Sequence, residues 1–597
     1  MQYQQRARKL WSVHPIIYNL LKDADSPIVS RNFILSYITE TRRHLNRISQ
    51  QIRPLEFNLQ NQCLLILRNI ISVRSERISK FSLIRLLWGL AHENENIIPP
   101  DINDGFFDEM HHLFLGTLGK SGIYDHESYP EFADIHGREA SVILSRQLDQ
   151  IAERSQNTIQ RYPSGLESNI IQNRLKNRRR ILTRLGGSER DWKDYMWHLK
   201  HVIRTSDDLA RLVEITEDEK NAIDRARQAR LPFGITPYYA SLMDEKPHRR
   251  RDHAVRAQVI PPMDYVNTMI ANRAGDASSF DFMLEHDTSP IDLITRRYPH
   301  IVILKPYNTC AQICVYCQRN WEINDVLTPG AMAGKEKINR AVAWIRDHRA
   351  ITEVLVTGGD PLIMKDDPVK NILAKLADIG HVERIRIGSR TPVVLPQRIT
   401  DGLIDTISAF HVPGRREITL VTHFEHPYEV TPESMEAVQK FRRTGMSVYN
   451  QGVFTIENSR RFEAVALRKT LRMIGVDLYY TFNMKGKEET NKYRAPLARL
   501  QQEISEESRL MPGLIRTDEP VYNVPGLGKN YIRAQQDHSL LTILPDGRRV
   551  YEFHPWMKKL ALVETYIDTD VSISKYLKEL KNRGENPEDY KTIWYYF

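Results

Sequence analysis

The sequence predicts an α/β protein: a partial (β/α)6 barrel behind a helical N-terminal extension. Three observations predict it. Six short apolar, β-branched runs succeed one another: IVILK from Ile301, EVLVTGG from Glu353, RIRIGS from Arg384, ITLVTHF from Ile418, SVYNQGVF from Ser447 and DLYYTFN from Asp477. After the first they recur about every thirty residues, the length of one βα unit. Their continuous apolar character suits parallel strands buried on both faces. Polar residues collect at their C-terminal ends, where a barrel gathers its chemistry: Gly358-Gly359-Asp360, Ser389-Arg390, His423, Asn450-Gln451 and Asn483.

The remaining elements follow in chain order. Residues 1–185 read as a helical extension, with apolar residues at helical spacing in LLILRNIISV and FSLIRLLWGLAH. A basic helix containing Arg174 to Arg184 stops at Gly186-Gly187. Residues 186–290 are again mostly helical, with N-cap signals at Thr205 and Thr216. The barrel takes 291–490. Residues 491–560 begin with a helix and pass into the β-like pieces EPVYNVPGLGKNYIR and SLLTILPDGRRVYEF, with a hairpin signal at Asp546-Gly547. The tail, 561–597, carries no motif.

The 597 residues are 41% hydrophobic and 27% charged, a core-forming composition expected to divide into two to four domains. No stretch approaches the ~20 uninterrupted apolar residues of a membrane helix. The basic N-terminus lacks the apolar core of a secretory signal, so a cytoplasmic enzyme is expected. The net charge of +9 is modest for this length, and the basic runs read as solvated faces without a nucleic-acid recognition motif.

Four cysteines exclude a disulfide scaffold. Three of them, Cys310, Cys314 and Cys317, stand as C-x3-C-x2-C directly after the first barrel strand. A 4Fe–4S cube normally takes four thiolates. Three protein ligands leave one iron open to an external chelator, as reductive cleavage of S-adenosylmethionine requires. Two other readings compete: a zinc site completed by a histidine, for which no nearby CxxH or HxxH pattern stands ready, and inert buried cysteines.

With this motif the chain resembles the radical S-adenosylmethionine superfamily. RIGSRTPVVLPQRIT from Arg386, VTGGDPL from Val356, THFEHP from Thr422 and ITPYYASL from Ile235 are similar to the lysine 2,3-aminomutase family, over roughly residues 190–560. The first 185 residues have no counterpart in the core family, and no cysteine follows Cys317 to build the family's zinc-binding C-terminal segment.

The resemblance implies a second cofactor. Pro525-Gly526-Leu527-Gly528-Lys529 taken alone is a turn with a solvated lysine; the family holds pyridoxal 5′-phosphate as a Schiff base on a lysine in such a loop, which Lys529 matches one glycine short. Arg297 and Tyr298 match the family's phosphate-binding pair, and Ile301 stands where a second arginine would. By the same likeness Gly358, Gly359 and Asp360 turn near the methionyl amino group, and Asn450 and Gln451 lie near the adenosyl moiety. Tyr480 matches a tyrosine close to the pyridoxal ring, with a core aromatic as the alternative. The implied reaction moves an amino group from C2 to C3 of an α-amino acid. A 5′-deoxyadenosyl radical removes the unactivated hydrogen, and the imine provides a π system for the migrating nitrogen.

Arg319 matches the arginine that clamps the substrate α-carboxylate. The lysine enzymes read the ε-ammonium with two aspartates; Asn483 and Asn523 stand at those positions here and cannot neutralise it. Lysine is therefore disfavoured, and glutamate or a neutral amino acid is expected, with Lys485 a candidate for a side-chain carboxylate. The resemblance further implies a flavodoxin- or ferredoxin-type electron donor and a homo-oligomer; the composition speaks against a membrane partner, and the basic runs without a recognition motif disfavour nucleic acid. The alternative is radical modification of a protein-bound residue docked by the N-terminal extension.

Overall fold

The computed structural model describes residues 2–48, 54–123, 134–248, 251–274, 280–281, 283–319, 322–483, 488–524, 528–532, 538–554 and 565–597. The chain divides into two compact units. Residues 154–494 and 507–529 form one; residues 1–153, 495–506 and 530–597 form the other. Among the described residues no helix is long and apolar enough to cross a membrane.

The first unit is built on a sheet with the strand order of the sequence. β1 (Ile294–Thr295) pairs antiparallel with β2 (Ile301–Tyr307). From β2 onward every described pairing is parallel, through β3 (Glu353–Gly358), β4 (Arg384–Gly388), β5 (Glu417–Thr422), β6 (Ser447–Phe454), β7 (Asp477–Asn483) and β8 (Glu519–Val524). β9 (Gly528–Tyr531) stands next to β8. Strands β2–β7 are the six runs expected from the sequence, and β8 extends the sheet by one parallel strand.

Helices Lys335–Asp347, Asp366–Ala377, Asp401–Ser408, Pro432–Arg443 and Glu463–Met473 make the crossovers. Strand alternation divides the sheet into two faces. Val302, Val354, Ile385, Ile418, Val448 and Leu478 face the helices and join one continuous core with them. The alternate positions, among them Lys305, Glu353, Arg386 and Tyr449, turn the other way, so the lumen is polar.

Local signals act as expected. Thr216 caps helix Glu217–Gln228 in a capping box with Glu219, and Thr205 caps Ser206–Ala210. Gly186, at φ +68°, ends helix Ser168–Leu185 in the left-handed conformation that costs glycine little. The basic run is not uniformly solvated: Arg174 is buried, donates to the Tyr428 carbonyl and lies 4.6 Å over the Tyr428 ring.

The second unit joins the N-terminal helices to the end of the chain. β10 (His538–Ile543) and β11 (Arg549–Phe553) form the hairpin signalled by Asp546-Gly547, with Gly547 at φ +75°. β12 (Tyr566–Thr569) adds to β11 antiparallel. Arg549 is fully buried and clamps Glu109, on helix Asp104–Thr117, through Nε and Nη2 at 3.0–3.1 Å. Its Nη2 also donates to the Trp594 carbonyl at 2.8 Å. One arginine thus ties three distant segments. Removing one partner of a buried pair strands the other charge, at a cost of ~3–5 kcal/mol. Glu109→Ala is expected to lower the thermal unfolding midpoint clearly, and Glu109→Gln, which keeps an acceptor, to lower it less.

Candidate active site

The loop after β2 carries the three cysteines, and hydrogen bonds pin it from several sides. Val315 N–H donates to Gln258 O at 2.7 Å, Ile313 N–H to Gly234 O at 3.0 Å, and Asp360 N–H to Thr309 O at 2.9 Å. The Gly358-Gly359 turn after β3 is a requirement of this packing. Gly358 sits at φ +118°, and a Cβ on Gly359 would lie 2.2 Å from Thr309 O. Asp360 is taken up by the fold: its carboxylate accepts from Ser389 Oγ (2.7 Å), Arg390 N (3.0 Å) and Leu362 N (3.1 Å).

Burial pushes the Cys310 thiol well up, and Asp360 and the neighbouring thiols add to it. Burial raises Cys314 too, opposed by Arg390, whose Nη1 donates to Cys314 Sγ at 2.9 Å. The Arg319 amide donates to Cys317 Sγ at 3.4 Å. Three soft donors on one loop, two of them already receiving N–H bonds, suit thiolates of an iron–sulfur cluster. Among the described residues, the His/Cys/Asp/Glu group spaced to hold a metal ion is His253, His426 and Glu463, which contains none of the three thiols. Arg460 already supplies a cation there, donating to Glu463 at 2.6 Å and to His253 at 3.0 Å.

The strand ends beside this loop hold Asn450 and Gln451, and also His423 and Glu425, to which the sequence assigned no role. His423 sets Nδ1 2.9 Å from Gln451 O; burial and Arg390 lower its pKa to about 4, so the ring is neutral. Glu425 accepts from Val453 N–H at 2.6 Å, and burial pushes its pKa up to about 8, leaving it protonated at neutral pH. Asn450 exchanges two bonds with the Phe424 backbone, at 2.7 and 3.0 Å, tying the segment after β5 to β6. Gln451 is half-buried beside it.

A register shift at Asn450/Gln451 pairs Tyr480 with Gln451 and leaves Tyr479 as the extra residue. Both tyrosines lie together, their ring centroids 3.9 Å apart. Arg386 Nη1 donates to Tyr479 Oη at 2.6 Å. Lys529 completes this group: its Nζ lies 4.6 Å from the Tyr480 ring and 5.0 Å from the Tyr298 ring, and its amide donates to Tyr298 Oη at 3.3 Å. Burial, then Arg386 and Arg297, lower its pKa to about 8. Arg297 is bonded to Met283 O at 2.6 Å. An amine that loses its proton easily, two aromatic faces and a nearby guanidinium fit the aldehyde, ring and phosphate of pyridoxal phosphate.

Arg319 already shows its affinity for a carboxylate, with Nη2 2.7 Å from Glu285 Oε1. Lys305 bridges Glu285 and Glu322 at 3.4 and 3.3 Å. Asn483 and Asn523 are buried near the ends of the adjacent parallel strands β7 and β8, Asn483 pairing with Tyr522. Lys485 and Pro525 to Leu527 lie outside the described residues. Lys305 and Glu425 stand at the ends of apolar runs, a positional signal available beforehand; Glu285 lies before the barrel and offered none.

A parallel barrel whose first loop presents C-x3-C-x2-C defines a radical S-adenosylmethionine protein, with a 4Fe–4S cluster and S-adenosylmethionine as its cofactors. Residues 304–468 match the Radical SAM superfamily model. The chain belongs to the KamA family: it is 41% identical to an uncharacterized KamA family protein of Methanocaldococcus jannaschii, over 98% of this chain and 97% of that one. It is 34% identical to a glutamate 2,3-aminomutase of Clostridioides difficile, over 52% of this chain and 69% of that enzyme. An L-lysine 2,3-aminomutase of Bacillus subtilis is 35% identical over 52% of this chain and 62% of its own length.

Proposed function

We propose that the protein is a pyridoxal phosphate-dependent 2,3-aminomutase acting on a free α-amino acid whose side chain carries no cation, glutamate first among them. The observation that carries this reading is the placement of Lys529 between the Tyr298 and Tyr480 rings and close to Arg297. Cys310, Cys314 and Cys317 hold the cluster. Gly358, Gly359 and Asp360 shape the turn beside it, and Asn450 and Gln451 form the adjoining wall toward the adenosyl group. The bound cofactors supply radical hydrogen abstraction and a π system for the migrating nitrogen.

The chain's own residues bind and orient. Lys529 anchors the pyridoxal aldehyde, and Arg297 and Tyr298 receive its phosphate. Tyr480 packs on the ring. Arg319, whose Nη2 already holds the Glu285 carboxylate, would take the substrate α-carboxylate. Holding the α-carboxylate and the α-amino group together would fix the substrate's C3 for hydrogen abstraction. A cytoplasmic one-electron donor of flavodoxin or ferredoxin type would supply the reducing electron.

Substrate choice follows from Asn483 and Asn523. A buried ammonium needs an ionised partner, and neither amide is one. In a panel of free amino acids assayed with reduced cluster, S-adenosylmethionine and pyridoxal phosphate, glutamate is expected to turn over and lysine to be a poor substrate. Asn483→Asp with Asn523→Asp should shift preference toward lysine, each charge-assisted bond being typically worth ~1.5–3 kcal/mol. The same change should weaken acidic substrates by like-charge repulsion. Efficient lysine turnover by the unmodified protein contradicts this reading.

A further inference from the structure

We propose that Arg390 sets the reduction potential of the iron–sulfur cluster, raising it through an N–H···S hydrogen bond from a fixed guanidinium to Cys314. The inference rests on Cys310, Cys314 and Cys317 being the cluster ligands. Arg390 follows Ser389 at the end of β4, and its side chain reaches back to the cysteine loop. Nη1 donates to Cys314 Sγ at 2.9 Å. Nη2 donates to Glu429 Oε1 at 2.7 Å and to Gln258 Oε1, and lies 3.3 Å from Tyr239 Oη. Nε donates to His423 O at 3.1 Å.

The acceptor that orients the fork is itself immobilised. Glu429 is fully buried and accepts from Tyr239 Oη (2.6 Å), Gln258 Nε2 (2.9 Å) and the Glu425 amide (2.7 Å). The guanidinium therefore cannot turn away from the sulfur without breaking several buried bonds. An arginine does not deprotonate, so the donor is permanent. Reduction adds negative charge that spreads onto the ligand sulfurs. A donor at one sulfur stabilises the reduced state more than the oxidised state, and burial strengthens the effect. Glu429 offsets part of the charge at longer range, while the hydrogen bond acts directly on the thiolate. Arg390 is thus a positioning residue that acts through the cluster.

The test is an EPR-monitored redox titration of the reconstituted full-length protein, with iron and sulfide measured first. Absence of a cluster in the unmodified protein would refute the ligand assignment itself. With clusters present, Arg390→Gln is expected to lower the midpoint, cutting the reduced-to-oxidised ratio at a fixed potential about tenfold, ~59 mV for one electron. Arg390→Lys, which keeps the charge but loses the fork, should fall between. Unchanged midpoints with full cluster content overturn the proposal. If neither variant assembles a cluster, the unmodified protein labelled with guanidino-15N arginine decides. Pulsed ENDOR of its reduced cluster should show a 15N coupling, and absence of that coupling overturns the proposal equally.

Discussion

Alanine at any one of Cys310, Cys314 or Cys317 is expected to abolish both the cluster absorbance and S-adenosylmethionine cleavage. In the proposed site each thiolate would hold one iron of the cube, leaving the fourth iron open to chelate the cofactor. A second open iron would leave the cube under-ligated. Cys63, the remaining cysteine, lies in the other compact unit, fully buried, with burial pushing its thiol up to about 12. It is a packed apolar group and not a spare ligand. Cys63→Ala should accordingly leave iron content, sulfide content and cleavage of S-adenosylmethionine unchanged. Iron and sulfide retained in the triple alanine variant would sink the assignment. The measurement is metal and sulfide content after anaerobic reconstitution, alongside release of the cleaved adenosyl product.

The parts of the fold legible in the sequence are those whose cause is local. Strands β2–β7 announce themselves because a parallel strand buried on both faces must be continuously apolar, and the crossover helix fixes the spacing between runs. The cysteine loop is legible for the same reason: its chemistry needs three thiols close together, and they fall within eight residues of chain. What escapes is set by partners distant in sequence. Arg390 is legible only as one of the polar residues at a strand end; its contacts, Tyr239, Gln258, Cys314 and Glu429, are gathered from separate segments. Glu109 and Arg549, 440 positions apart, join the N-terminal helices to β11 with no local pattern to betray it. The register shift at Asn450/Gln451 is equally silent. The run DLYYTFN shows two tyrosines in succession, which simple alternation would send to opposite faces; the shift instead brings their rings together.

Borohydride reduction of the protein loaded with pyridoxal phosphate is expected to fix the pyridoxyl group on Lys529, and Lys529→Ala to lose that label and the activity together. The attacking group must be the free amine, so the lowered pKa decides how fast the cofactor loads. At pH 7 an amine with a pKa of about 8 is roughly 10% neutral, against ~0.04% for an ordinary lysine. The sign follows from the causes: burial and the positive charges of Arg386 and Arg297 all disfavour the ammonium, so the proton leaves at lower pH. Incorporation should rise as pH increases through about 8 and then level off. Arg386→Gln removes one of the two cations and also leaves Glu353, its partner in an ion pair, less neutralised. Both changes favour the ammonium, so the incorporation curve of that variant should move to higher pH. Peptide mapping of the reduced protein and the pH dependence of labelling check the two halves of the argument separately. Label on a different lysine would refute the assignment of the Pro-Gly loop. A curve centred near the ordinary lysine value, with the label still on Lys529, would instead show that the amine is solvated and not enclosed between Tyr298 and Tyr480.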